Sequence, residues 1–89
     1  MNRTDYINRE TNHSEYVRQR IMAFIREYVE KHSYAPSYAE IAHYLGMGNT
    51  SVFRHINKLF ELGELETDLP DRFSTSRAYR VARKGRNDG

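Results

Sequence analysis

Thr50, Arg54 and Asn57 follow one another at intervals of four and three residues. On a helix that advances about 100° per residue, this spacing puts all three on one face. Their chemistry converges on nucleic acid. A guanidinium can donate paired hydrogen bonds to guanine O6 and N7, a carboxamide can pair with the adenine edge, and a hydroxyl serves a base or a phosphate. Phe53 and Lys58 flank the stripe, offering an apolar ring to a thymine methyl and an ammonium to a phosphate. Asn49 and Ser51 add short polar groups at its front, and no acid interrupts the segment before Glu61. An acid-free face rich in donors is what a reader of the major groove requires. The same residues also suit an ordinary solvated helix, and Phe53 suits packing on a hairpin or on Phe60, so the elements around them decide.

The positions behind that face are Val52, Ile56 and Leu59, all apolar, which gives this helix a core side. It is expected over about 50–62, capped by Asn49 or Thr50 and closed by Gly63. Just before it, Ser37-Tyr38-Ala39-Glu40 reads as a capping box that starts another helix. Ile41 and Leu45 lie on one side of that helix, and Gly46 stands where it must stop. Ala42 is small at the point where two helices have to approach, and Ile41, Leu45, Met47 and Val52 supply the wedge between them. This is the pattern of a helix-turn-helix, although a plain helical hairpin shares much of it. Ser37 is counted with the nucleic-acid-facing residues.

A longer helix is expected ahead of this pair. Val17, Ile21, Phe24, Ile25, Tyr28 and Val29 recur at helical spacing, with Asn12 and Glu15, or Ser14 alone, as the start and His32 as the end. Pro36 biases the residues before it to extended backbone. Residues 1–13 are polar and read as a flexible arm. After Gly63 the period changes to alternation: Leu65, Thr67 and Leu69 on one side of residues 70–76, Tyr79 and Val81 on the other. That is a hairpin, or wing, over 64–82, in which Arg80 faces Glu66 across the strands. Arg72 and Arg77, near the loop, are the expected wing contacts to phosphate or minor groove. The fold class is therefore mainly α with a small β-hairpin: a winged helix-turn-helix of three helices and a two- to three-stranded wing over 14–83, with a basic tail at 84–89.

Composition bounds the rest. The 89 residues make one domain, and the absence of cysteine excludes disulfides and thiolate metal sites. The net charge of +2 says little by itself. Its distribution is uneven, with acids at Glu61, Glu64, Glu66, Asp68 and Asp71 and bases at Arg77, Arg80, Arg83, Lys84 and Arg86. Apolar runs are too short to span a bilayer, and a cytoplasmic, nucleoid-associated protein is expected. The four histidines are scattered without ligand spacing, and Ser51 and His55 lack an acid to orient the imidazole. No enzyme activity, metal or cofactor is expected.

Phe24-Ile25-Arg26-Glu27-Tyr28, Tyr34-Ala35-Pro36-Ser37, Glu40-Ile41-Ala42, Leu45-Gly46, Leu59 and Leu62-Gly63 resemble the N-terminal DNA-binding domain of LexA-type repressors. The likeness runs from about Val17 to Val81. It implies a winged helix, a recognition helix in the major groove, and a symmetric pair of chains on a pseudo-palindromic operator. Between Gly46 and His55 this chain is one residue shorter than the family's pattern, and its wing loop is longer, so the family's operator does not carry over. The family's self-cleaving serine-lysine domain is absent from these residues, so no autocleavage is expected of them. Two functions remain: a sequence-specific transcriptional regulator, expected to repress, and a winged helix that docks on another protein of a phage, plasmid or replication system. The acidic stretch Glu64–Asp68 favours the second; the Thr50, Arg54 and Asn57 face and the basic tail favour the first.

Overall fold

A computed structural model describes the backbone of residues 3–69 and 77–82, with side chains from His13 onward in those ranges. Three helices, α1 (Arg3–His32), α2 (Tyr38–Leu45) and α3 (Asn49–Glu61), are followed by strands β1 (Leu65–Glu66) and β2 (Arg80–Val81). The strands pair antiparallel, Leu65 opposite Val81 and Glu66 opposite Arg80. The amide of Ala82 extends the ladder to the Glu64 carbonyl at 3.0 Å. The Thr67 hydroxyl carries the pairing outward by donating to the Ala78 carbonyl at 2.6 Å. This is the winged helix-turn-helix expected from the sequence, with two strands of the wing among the described residues.

The first helix begins about ten residues earlier than the Asn12 and Ser14 signals suggest. Neither residue starts it. No glycine or proline interrupts Arg3–His32, so nothing in the backbone chemistry stops the helix at a mid-chain cap residue. The segment read as an arm is thus helical backbone from Arg3. The core stripe is also rotated: Ile21, Met22 and Ile25 are buried, whereas Val29 is exposed. Val17 and Phe24 are partly buried against that core, as the stripe implies, and Phe24 also stacks on Tyr44 at 4.2 Å between centroids and meets Tyr28 edge-on. At the end of α1 the backbone turns through Ser33 at φ 70, a left-handed conformation unusual for serine.

The pair α2 and α3 is joined as the glycines dictate. Ser37 caps α2 through the Glu40 amide at 3.1 Å, and Glu40 returns the bond to the Ser37 amide at 2.8 Å. Gly46 takes φ 68 and closes α2, its amide donating to His43 and that of Met47 to Ala42. That pair of bonds satisfies two carbonyls that a helix end otherwise leaves open. The start of α3 differs from expectation. Gly48 is the cap, with no side-chain bond, and Asn49 and Thr50 are already inside the helix. Gly63, at φ 78, ends α3 in the same way as Gly46 ends α2.

Ile41, Ala42, Val52, Ile56 and Leu59 meet Ile21, Met22 and Ile25 in one core, closed by Leu65 and Tyr79 from the wing. Full burial of each large aliphatic side chain contributes about 1.5–3 kcal/mol, which makes this cluster the main support of the domain. Leu45 and Met47, expected in the wedge, are partly buried against it. Leu69 is exposed, so the inward alternation of β1 stops before it.

Candidate nucleic-acid interface

Helix α3 turns Val52, Ile56 and Leu59 into the core. Geometry alone then sends Asn49, Thr50, Phe53, Arg54 and Lys58 outward, and all five are exposed, with Ser51 and Asn57 half-buried at the margin. The acid-free face read from the sequence therefore exists as a physical ridge. On one side, Asn49, Thr50 and Phe53 share a shallow groove with Tyr38 and Ala39 of α2. On the other, Arg54, Asn57 and Lys58 share a groove with Ser14 and Arg18 of α1 and with His55 and Glu61. Phe53 packs toward Tyr38, ring centroids 6.1 Å apart. This neighbour on α2 is one that the sequence pattern alone does not point to.

The electrostatics on the second side is strongly positive. Burial, then the charges of Arg18, Arg54 and His13, hold the His55 imidazole below the usual histidine range. Lys58 lies 3.9 Å from Glu61, both half exposed, a separation and exposure at which the pair contributes little. Arg18 and His55 are not among the residues that the sequence assigns to nucleic acid. Arg18 is separated from α3 in the chain by the rest of α1 and all of α2, and only the crossing of α1 over α3 brings it into one groove with Arg54.

Ser37, counted with the nucleic-acid-facing set, is half-buried, and its hydroxyl oxygen accepts the α2 cap bond. Arg72 lies outside the described residues. Arg77 is heavily engaged within the chain. It is an ion-pair partner of Glu40 at 2.9 Å, donates to the Ala35 carbonyl at 3.1 Å and to the Tyr28 hydroxyl at 3.4 Å, and lies over the Tyr34 ring at 5.1 Å. This clasp ties the root of the wing to the start of α2. It also sets the charge of Glu40: the Arg77 hydrogen bond first, and the Ser37 amide second, lower its carboxyl from 4.5 to about 2. Beside it, the buried Tyr79 hydroxyl donates to the Pro36 carbonyl at 2.6 Å. Burial is the main cause that pushes that phenol well above its ordinary range.

The acidic stretch of the wing is partly neutralised. Arg80 reaches Glu66 at 2.9 Å, as the cross-strand reading expected, and adds a two-pronged contact to Asp68 at 3.0 and 3.2 Å. Bidentate geometry of this kind is the strong form of a carboxylate contact, and the Arg80 hydrogen bond depresses the Asp68 carboxyl.

Among the described residues, no group of three or more potential ligands could hold a metal ion, and no helix is long and apolar enough to cross a membrane. Residues 16–72 match the family described as the LexA DNA binding domain. A LexA repressor from Syntrophobacter fumaroxidans is 36% identical over 50 residues, covering 55% of this chain and 24% of that repressor. The match thus takes in less than a quarter of the relative's length.

Proposed function

The chain belongs to the family of LexA DNA-binding domains, and from that premise we propose that it is a sequence-specific, double-stranded-DNA-binding transcriptional regulator that acts by repression. In this reading α3 lies in the major groove. Arg54 grips guanine O6 and N7, Asn57 reads adenine, and Phe53 meets a thymine methyl. Lys58, Asn49, Thr50, Ser51 and Ser37 hold phosphates or adjacent base edges. The wing over 64–82 rests on the backbone or in the minor groove with Arg72 as its contact. Arg77 holds the wing in place through Glu40 and Ala35, and with its side chain 41% exposed it stays, with Arg72, an expected wing contact.

The observation that carries this reading is the exposed α3 ridge, free of acid from Asn49 to Phe60 and set at the turn made by Gly46. The competing reading, a protein-docking winged helix, drew on the acidic wing; the Arg80 contacts to Glu66 and Asp68 weaken that argument. One winged helix covers a short stretch of groove, so two copies on a pseudo-palindrome are expected, pairing firmly on DNA. Such a regulator works in the cytoplasm at the nucleoid.

Gel shifts test this with fragments from the protein's own genomic neighbourhood and excess random-sequence competitor. The expected result is selective retention of one fragment, with a footprint of two related half-sites. Equal retention of every fragment would remove sequence specificity from the account. A saturated footprint of one half-site with one chain per duplex would remove the dimer.

A further inference from the structure

The groove between α1 and α3 contains cations that the base-reading role of α3 leaves unused. Arg18 and Ser14 form its α1 wall, and Arg54, His55 and Lys58 line its α3 wall. Arg54 and Lys58 belong also to the exposed ridge, so the groove opens on the ridge's own side of the molecule. A duplex that receives α3 in its major groove presents phosphates along both flanks of that helix. The flank toward α1 is this groove.

We propose that Arg18 and His55 form a seat for one DNA phosphodiester beside the recognition helix, and that His55 takes up a proton when the phosphate arrives. The inference rests on the DNA-binding reading and deepens it. Arg18 supplies fixed charge and fork-shaped donors suited to phosphate oxygens. His55 supplies a titratable donor in the same groove. In the free protein its neighbours oppose its charge: from α1, Arg18 and His13; from α3 itself, Arg54. Lys58 lines the same groove, and Glu61 is the one carboxylate among its lining residues, placed beside Lys58. Partial burial adds to the penalty on the imidazolium. A phosphodiester reverses the sign of the local field, since an opposite charge within a few ångströms favours the protonated form. Duplex binding is then coupled to proton uptake, and affinity falls as pH rises through the interval between the free and bound histidine pKa values.

The test uses the intact chain and a random-sequence duplex of about two helical turns, because phosphate contacts carry no sequence information. The His55 imidazole is followed by NMR across pH with and without duplex, and affinity is measured across pH and salt for the wild type, His55→Gln and Arg18→Ala. The expected result is a higher His55 pKa in the complex. Wild-type affinity should decline with pH by up to about tenfold per unit of that rise, and His55→Gln should flatten the decline. Arg18→Ala should reduce the salt slope by about 0.9, the value for one phosphate, with its melt confirming that the chain is folded. A bound duplex that leaves the imidazole titration unmoved, or a decline with pH that persists in His55→Gln, overturns the proposal while the DNA reading stands. Failure of the wild type to bind any duplex at low salt overturns both.

Discussion

Substitution of Gly46 isolates the cost of the turn between α2 and α3. Its φ is 68, and a Cβ built there would meet nothing within 4 Å. Steric clash with the rest of the protein therefore drops out, and the remaining cost is that of a side chain in the left-handed region, about 1–2 kcal/mol. Replacing glycine also restricts the unfolded chain, which returns about 0.4–1 kcal/mol. The net loss for Gly46→Ala is thus about 1 kcal/mol, which in a domain of this size lowers Tm by about 4–8 °C. Asparagine tolerates this conformation, so Gly46→Asn should lose less, and Gly46→Val, being β-branched, should lose most. Gly48→Ala is the control. Its site is equally open but has φ −73, so it should stay near the wild type. Thermal melts of the four variants, followed by circular dichroism, give the ranking. The reasoning fails if Gly46→Ala and Gly48→Ala melt together, or if Gly46→Asn is the least stable of the set.

Ile56 is 1% exposed at the centre of the core, so Ile56→Ala should cost about 2–5 kcal/mol in chemical unfolding; a loss below 1 kcal/mol would show that the site is not packed as described. Glu40 has a folded pKa below its ordinary value, so its contribution to stability is complete above pH 4.5 and is lost as pH falls toward about 2. Melts of the wild type across that window should show an acid-dependent loss that shrinks in Arg77→Ala, and an identical pH profile in the two proteins would contradict the clasp. Lys58→Ala should weaken specific and random duplexes alike and make the salt dependence shallower by about 0.9; a change confined to one base position would assign it to base reading instead.

The parts of the fold set by local chemistry were legible in the sequence. Ser37 and Glu40 are three residues apart and cap α2 reciprocally, and Gly46 stands where only a left-handed residue ends the helix. The apolar spacing of Val52, Ile56 and Leu59 fixed which side of α3 faces outward. What depended on long-range packing was less accessible. Arg77 is 37 residues from Glu40 in the chain, and nothing in its sequence context separates a wing contact from a clasp. The burial of Met22 in place of Val29 follows from how α1 rolls against α2 and α3, a rotation that helical period leaves open. Ser33 takes a glycine-like conformation at the end of α1, which residue type argues against. Arg18 enters the interface by the crossing of two helices. The cap of α3 failed for a simpler reason: Gly48 does the work by backbone conformation alone, and polar side chains just after it drew the assignment forward.

The central claim is that α3 reads base edges through Arg54 and Asn57. Selection of bound duplexes from a random pool, carried out in parallel with the wild type and Arg54→Ala, tests it most directly. The account predicts a recurring two-part motif for the wild type. For Arg54→Ala it predicts the same motif with one base position per half-site flattened and a specific affinity lower by about 1–3 kcal/mol. An unchanged motif and affinity in Arg54→Ala, or no enriched motif for the wild type, would contradict it.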